Sequence, residues 1–203
     1  ATGDLGGALV SHLRSNGARL AIAVRRAWQV EQVVQTVGKD GVLVGCVPTG
    51  DGEAAAGFVK GAKDALGPID ALLCANGAFR GNAIGKDPAE ELTELLDANL
   101  LAGATLARAV VGPMLRRRAG VIVAVGSAAV GRAGNSVANY LASKAALHEW
   151  VRALATELAG TGVRAAAILP TTIDTPKNRA AMPDQDPAQW QPMELVVRTM
   201  LEV

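Results

Sequence analysis

Aromatic side chains are scarce in this chain of 203 residues: they make up 3% of it, as three tryptophans, two phenylalanines and one tyrosine. Hydrophobic residues nevertheless make up 50% of the chain, so the core must be built from alanine, valine, leucine and isoleucine. Such side chains suit stacked layers of helices and strands. The length is that of one well-buried domain and is short for two, so we expect a single domain over residues 1–203.

Cysteine and histidine are also scarce, with two of each. Cys46 and Cys74 lie in or beside apolar runs, and His12 and His148 are isolated in predicted helices, where we interpret each as a surface or interface residue. No Cys/His cluster has the spacing of metal ligands, so we expect no metal. The sequence shows no secretory signal and no apolar run of membrane length, which predicts a reduced, cytoplasmic protein with no membrane partner.

Neither sign of charge dominates, because twenty basic and nineteen acidic residues leave a net charge of +1. The densest basic run, Arg116 to Arg118, lies at the end of a predicted helix, where cations complement the helix dipole. We therefore expect no nucleic-acid partner.

Five short apolar runs recur along the chain and do not alternate with polar residues, which is typical of strands buried on both faces. Segments of helical periodicity separate them. This alternation predicts an α/β fold, a doubly wound parallel sheet with helices on both faces. The strands are predicted at 19–24, 41–47, 69–75, 120–126 and 163–170, and the helices at 8–16, 27–37, 53–66, 89–117 and 137–160.

One long irregular stretch, residues 171–192, contains four prolines, and we interpret it as a substrate lid because long loops in compact domains are usually functional or disordered. Met182 and Trp190 within it would either cover an apolar substrate or pack the lid onto the domain.

The carboxyl ends of the predicted strands, where open parallel sheets bind ligands, carry unusual residues. Tyr140 and Lys144 open the helix that follows one of these ends, and a spacing of four places their side chains on one helix face. An ammonium on an inward face is costly without a polar partner, so we expect a cleft there. The alternative is a packed tyrosine and a lysine that extends its amine to water.

Four residues together resemble the catalytic pattern of the short-chain dehydrogenases and reductases, which are Rossmann-fold enzymes. The segment YLASK matches the family's YxxxK with Tyr140 and Lys144, Ser127 lies thirteen residues before the tyrosine, and LLDANL supplies Asn99. The resemblance runs from TGDLGG to TIDTP. It implies an oxidoreductase that transfers a hydride between a nicotinamide cofactor and a small carbonyl or alcohol substrate.

The resemblance also implies a role for each of the four residues. Tyr140 would be the acid/base, because hydride transfer moves a proton on the adjoining oxygen and the Lys144 ammonium favours phenolate. Lys144 would also bind the nicotinamide ribose, Ser127 would hold the substrate oxygen, and Asn99 would support a proton-relaying water. Taken singly, Ser127 is equally consistent with a turn or cap serine and Asn99 with a helix-kink residue.

The cofactor motifs match the family less closely. TGDLGG resembles its glycine-rich turn, where the backbone approaches a pyrophosphate at a helix N-terminus. Gly3 and Gly7 match, but an ungapped alignment places Leu9 where the family has its third glycine. An alternative alignment leaves about one helical turn missing after Gly7. CANGAF resembles the segment beneath the cofactor and supplies Asn76 and Gly77. The family's first and last strands have no counterpart, and we expect the sequence to omit them.

Arg25 and Arg26 follow a strand whose end carries an acid in NAD-preferring relatives. Arginine accommodates a ribose 2′-phosphate, so we expect NADP as the cofactor, with NAD as the other choice; the alternative interpretation is two surface arginines.

PTTIDTP resembles the family's PGxIxT segment, with Thr171 in place of glycine. The resemblance places Ile173 and Thr175 against the nicotinamide carboxamide and makes Pro170 part of the cofactor site.

Relatives assemble through the helices predicted here at 89–117 and 137–160, which implies a homodimer or homotetramer with Trp150 and His148 as interface residues. A function of another class stays open: a catalytically silent nucleotide-binding or scaffold protein on the same fold. The altered glycine turn favours this alternative, whereas the complete set of four catalytic residues disfavours it.

Overall fold

Strands and helices alternate along the chain in the computed structural model, which describes residues 2–38, 40–132 and 134–203. The strands pair in parallel and are β1 (Leu20–Val24), β2 (Val42–Cys46), β3 (Ala71–Cys74), β4 (Gly120–Val125) and β5 (Val163–Ile168). The helices are α1 (Asp4–Ser15), α2 (Trp28–Val37), α3 (Gly52–Leu66), α4 (Glu91–Leu96), α5 (Ala102–Arg117), α6 (Ala138–Glu157), α7 (Pro176–Ala181) and α8 (Met193–Leu201).

Hydrogen bonds divide the strands into two sheets, β1–β2 and β3–β4–β5. The predicted α/β class with parallel strands is confirmed, but one continuous sheet does not form. The division lies between β1 and β3, which is where the resemblance places the family's first strand. Among the described residues, no strand pairs with both of these edges.

Helices cover both faces of the strands. On one face, α1 and α8 pack against β4 and β5, and α2 packs against β1; on the other, α3, α5 and α6 pack against β4. Burial on both faces explains why the apolar runs do not alternate with polar residues. The buried residues of the first face include Leu9, Val125, Ile168, Val196 and Met200, and those of the second include Val59, Val110, Met114, Ile122 and Leu158.

Helix α1 begins four residues earlier than predicted, so the expected glycine-rich turn over residues 2–7 is wrong. Gly3 is an extended N-cap residue, and the Gly7 N–H donates to the Gly3 carbonyl at 2.8 Å, which is the first bond of the helix. The backbone is continuous helix through Gly7. Gly7 is therefore part of the helix and its N–H is already used.

The predicted irregular stretch at 171–192 contains the short helix α7 and a 3₁₀ turn, Pro187–Gln189. Thr175 caps α7, because its hydroxyl accepts the Asn178 N–H at 3.0 Å and Pro176 suits the first helical position. Helix α8, which the sequence reading missed, follows directly. Its apolar residues recur at helical spacing, and Val196, Val197 and Met200 are buried against α1.

The segment Glu91–Arg117 is long and apolar enough, by length and composition alone, to meet the criterion for a membrane span. In the structure it packs against α3, β3 and β4 as a helix of the core. That burial accounts for its apolar composition, since core helices meet the same criterion.

Gly162 fixes the turn into β5, and its replacement should be costly. Its φ is +87°, and a β-carbon there would overlap the Arg118 carbonyl oxygen and lie 2.8 Å from the Arg118 carbonyl carbon. We predict that Gly162→Ala lowers the free energy of unfolding by about 3 kcal/mol, from left-handed strain plus a backbone clash. Gly160→Ala is the matched control, because φ there is +75° but nothing lies within 4 Å. It should cost about 1 kcal/mol. Equal losses in urea unfolding would contradict the backbone clash.

Candidate active site

The carboxyl ends of β3 and β4 meet the first turns of α6. The Lys144 Nζ donates to the carbonyl of Val125, the last residue of β4, at 2.8 Å. A β-carbon on Gly77, just beyond β3, would lie 3.5 Å from Lys144 Nζ and 3.1 Å from Asn99 Oδ1. The structure thus brings two of the predicted catalytic residues to the same glycine.

Asn99 lies in a π-helical turn, Asp97–Leu101, that interrupts the helix predicted as continuous over 89–117. Its side chain is 2% exposed, and its Oδ1 accepts the Ala78 N–H at 2.8 Å. Its Nδ2 donates to the Ala78 carbonyl at 3.1 Å and to Ser143 Oγ at 2.8 Å. Asn99 therefore ties the loop after β3 to α6. Single π turns of this kind are frequent at functional sites.

Asn76 supports the π turn. Its Nδ2 donates to the carbonyl of Ala98, inside the turn, at 2.6 Å. A π turn changes the helical hydrogen-bond register, and buried carbonyls need partners. The Asn76 amide is therefore bound to the π turn, and its position beneath a cofactor stays a prediction. Gly77, the next residue, has no side chain and allows a close approach to the backbone.

Lys144 is buried, with only 5% of it exposed. Burial lowers the pKa of its ammonium to about 8 from an ordinary value of 10.5. Among the described residues, the Val125 carbonyl accepts one hydrogen bond from this ammonium. An ammonium has three N–H donors. Two N–H groups therefore stay available to a ligand.

Tyr140 stands one helical turn before Lys144 and is partly buried. Its ring packs edge-to-face on Phe79, with ring centroids 5.0 Å apart and an interplanar angle of 70°. Its carbonyl accepts the Ser143 hydroxyl at 2.8 Å. Through Ser143, the backbone of Tyr140 is linked to Asn99.

Ser127 lies just beyond β4 and is 7% exposed. Its Oγ accepts the Ala129 N–H at 3.2 Å, a local turn contact. The hydroxyl proton is still free to be donated, because an oxygen that accepts keeps its own hydrogen.

His148, predicted as a surface or interface residue, is partly exposed, and its Nε2 accepts the Ser127 backbone N–H at 3.1 Å. A position at an interface stays a prediction. Tyr140, Lys144 and His148 follow one another at intervals of four on α6, and this spacing was a signal that the sequence analysis did not use. Trp150, also predicted at an interface, is partly buried and packs against the core.

Arg25 lies at the carboxyl end of β1, on the same rim as the π turn. Its Nη1 makes a 2.8 Å ion pair with Asp97 Oδ2, and both side chains are partly exposed. The Thr49 hydroxyl, beyond β2, lies 3.4 Å from the same oxygen. Arg26 is exposed beside this pair.

The N-terminus of α1 has no side-chain cap. Nothing lies within 4 Å of the position of a β-carbon on Gly3, its N-cap residue. The first-turn N–H groups of a helix have no partner within it, and they attract anions. The carboxylate of Asp4 lies in the same turn and opposes an anion.

The segment after β5 is tied to the rim through Pro170, whose carbonyl accepts the Ala128 N–H at 2.9 Å. The Ile173 carbonyl accepts from Asn178 at 2.8 Å, and the Thr175 hydroxyl caps α7. The segment 171–192 borders a cavity of about 320 Å³, and Trp190 is buried, with 8% of it exposed. The cavity is lined by Thr171, Thr172, Gln185, Asp186, Gln189 and Trp190.

Comparisons with known proteins identify relatives of this chain in sequence and in structure. The sequence profile of the short chain dehydrogenases matches residues 1–186. A dihydropteridine reductase of Dictyostelium discoideum is 35% identical over 138 residues, which are 66% of this chain and 58% of that protein, so the match spans less than two thirds of this relative. An uncharacterized oxidoreductase of Staphylococcus aureus is 26% identical over 192 residues, 91% of this chain and 83% of that protein. The crystal structure of an oxidoreductase from Burkholderia thailandensis, of the short chain dehydrogenase/reductase family, superposes with a TM-score of 0.82 at 26% identity and covers 98% of this chain and 80% of that one.

Proposed function

The chain belongs to the short-chain dehydrogenase family, and from this premise we propose that it is an NADP-linked oxidoreductase acting on a carbonyl/alcohol pair. The observation that carries the proposal is the buried Lys144 ammonium beside Gly77 and Asn99. Burying a cation is costly. A buried ammonium that still has N–H groups available for hydrogen bonds indicates a ligand-binding role. A catalytically silent scaffold would gain nothing from that cost.

A bound nicotinamide cofactor would supply or take up the hydride. The uncapped N-terminus of α1 would hold the pyrophosphate, and Arg25 the ribose 2′-phosphate. Lys144 would bind the nicotinamide ribose through its two remaining N–H groups. Gly77 lets the backbone approach closely, and Ile173 and Thr175 would lie against the carboxamide.

The proton moves at the substrate oxygen. In reduction Tyr140 donates its hydroxyl proton to that oxygen, and in oxidation the phenolate takes the proton back. The Lys144 ammonium stabilises the phenolate by its charge. Ser127 donates a hydrogen bond from Oγ to the same oxygen, and this bond strengthens as charge develops there.

The substrate class is tested by turnover. We expect loss of the reduced cofactor's absorbance with members of a panel of aldehydes and ketones, faster with NADPH than with NADH. A dihydropteridine, which is neither an aldehyde nor a ketone, is tested beside the panel, because a relative named dihydropteridine reductase shares 35% identity over 138 residues. Binding of NADPH without turnover of any panel member would favour the silent nucleotide-binding protein. Calorimetry that detects binding of neither NADPH nor NADH would contradict the oxidoreductase and favour a silent scaffold protein.

Replacing Arg25 should change cofactor preference. We predict that Arg25→Gln weakens NADPH binding roughly 10- to 100-fold, the effect of losing a charge-assisted contact. NADH binding should stay the same or improve, because the freed Asp97 carboxylate can accept a ribose hydroxyl. The control is Arg152→Gln, on α6, where Arg152 is exposed and paired with Glu149. Dissociation constants from fluorescence titration check this, and an unchanged NADPH constant in Arg25→Gln would refute the assignment.

A further inference from the structure

Beyond the end of β3, two backbone groups of β4 and its extension lose their strand partner. β3 ends at Cys74, which is in register with Ala124. On the other side the chain remains paired, because the Gly126 N–H donates to the Ile168 carbonyl at 2.8 Å and the Ala128 N–H to the Pro170 carbonyl at 2.9 Å. The Val125 C=O and the Ser127 N–H face the β3 side, since groups alternate along an extended chain. Buried groups of this kind need partners.

Helix α6 supplies both partners with side chains. Lys144 Nζ donates to the Val125 carbonyl at 2.8 Å, and His148 Nε2 accepts the Ser127 N–H at 3.1 Å. These residues are one helical turn apart, so they face the strand at adjacent levels. Together they take the place of the residue that would continue β3.

Gly126 makes the approach of His148 possible. A β-carbon there would overlap His148 Nε2 and lie 2.6 Å from Leu169 Cδ2. The imidazole is therefore fitted against the backbone between Val125 and Ser127, and any side chain at residue 126 would displace it.

We propose that His148 is a positioning residue, which holds the Ser127 hydroxyl at the substrate oxygen by accepting the Ser127 backbone N–H while its imidazole is neutral. The inference rests on the proposed function, because it needs Ser127 to bind substrate. His148 itself touches neither substrate nor cofactor in this scheme. Its effect passes through the backbone of residue 127.

The contact depends on the charge state of the ring. Nε2 can accept only when the proton is on Nδ1, and an imidazolium has no acceptor. Burial, and then the charge of Lys144, lower the pKa of His148 below 6.5; Gly126 and Leu169, which meet the ring from the ends of β4 and β5, are uncharged. The contact is therefore intact at neutral pH and is lost as pH falls through that lowered pKa.

Two variants distinguish the effect of the hydrogen-bond acceptor at residue 148 from the effect of side-chain volume. His148→Gln keeps an acceptor oxygen but cannot titrate, whereas His148→Leu fills the space without an acceptor. We expect kcat to fall about tenfold in the leucine variant, the effect of one lost hydrogen bond, and to stay within about threefold of wild type in the glutamine variant by the same reasoning. KM for NADPH should not change. The acid limb of the wild-type kcat profile should disappear in His148→Gln.

Nitrogen NMR of the histidine ring provides a readout that does not need turnover. We expect Nε2 unprotonated at neutral pH, and the Ser127 amide to shift as His148 titrates. A protonated Nε2, or equal kcat and pH profiles in the glutamine, leucine and wild-type proteins, would overturn the inference. An inactive wild-type enzyme would instead overturn the proposed function, and with it the role of His148 in the reaction.

Discussion

Tyr140→Phe should lower kcat about 10³-fold, within the range measured for loss of a general acid or base. The substitution removes only the hydroxyl. The edge-to-face contact with Phe79 persists because it needs a ring, and the Ser143 bond persists because it uses the Tyr140 carbonyl. We therefore expect the NADPH dissociation constant and the melting temperature to stay close to those of the wild type. Single-turnover rates at saturating NADPH measure the loss directly.

Phe79→Leu is the matched control for that variant. It removes the aromatic contact at 5.0 Å but keeps the Tyr140 hydroxyl, so kcat should fall only a few-fold, in line with the ~1 kcal/mol of an aromatic pair. If Tyr140→Phe turned over as fast as Phe79→Leu, Tyr140 would not be the proton donor.

Lys144→Met should separate activity from stability. Loss of the ammonium removes the charge that favours phenolate and the donors to the ribose, so we expect kcat to fall roughly 100-fold and NADPH binding to weaken. The free energy of unfolding at neutral pH should change by no more than about 1 kcal/mol, because relief of burying a charge offsets the lost bond to Val125. Steady-state kinetics and urea unfolding of the same preparations check both parts.

The stability difference between wild type and Lys144→Met should depend on pH. Burial lowers the pKa of Lys144 to about 8 in the folded protein, against an ordinary value of 10.5 in the unfolded chain. Between these values the unfolded chain binds more protons, so wild-type stability rises with pH relative to the variant. Urea unfolding at about pH 7 and about pH 10 measures this change. A difference that stays constant, or moves the other way, would contradict the burial of a titrating ammonium.

The sheet layers could be predicted because helices cover both faces of the strands, whose sequences are therefore unbroken apolar runs. Helix α1 was placed too late because glycine is a poor helix former, yet Gly7 supplies the first helical bond to Gly3. Helix α8 was not predicted, because it has only nine residues and directly follows Pro192. Val196 and Met200 nevertheless show helical spacing.

The candidate site was predictable where residues recur at fixed spacing. The spacing of four between Tyr140 and Lys144 predicts that their side chains lie on one helix face. The π turn at Asn99 could not be predicted from the sequence, because one extra residue in a helical turn scarcely alters the spacing of the apolar residues. The role of His148 depends on where β3 ends relative to β4, which is a property of the sheet and not of any local sequence.

Transfer of deuterium from NADPH that carries deuterium at both hydrogen positions of its reactive carbon tests the central claim most directly. The account predicts deuterium on the carbinol carbon of the product with wild-type enzyme and almost none in the same time with Tyr140→Phe, although both proteins bind the cofactor. Label in the product at equal rates from both proteins, or unlabelled alcohol from the wild type, would contradict it.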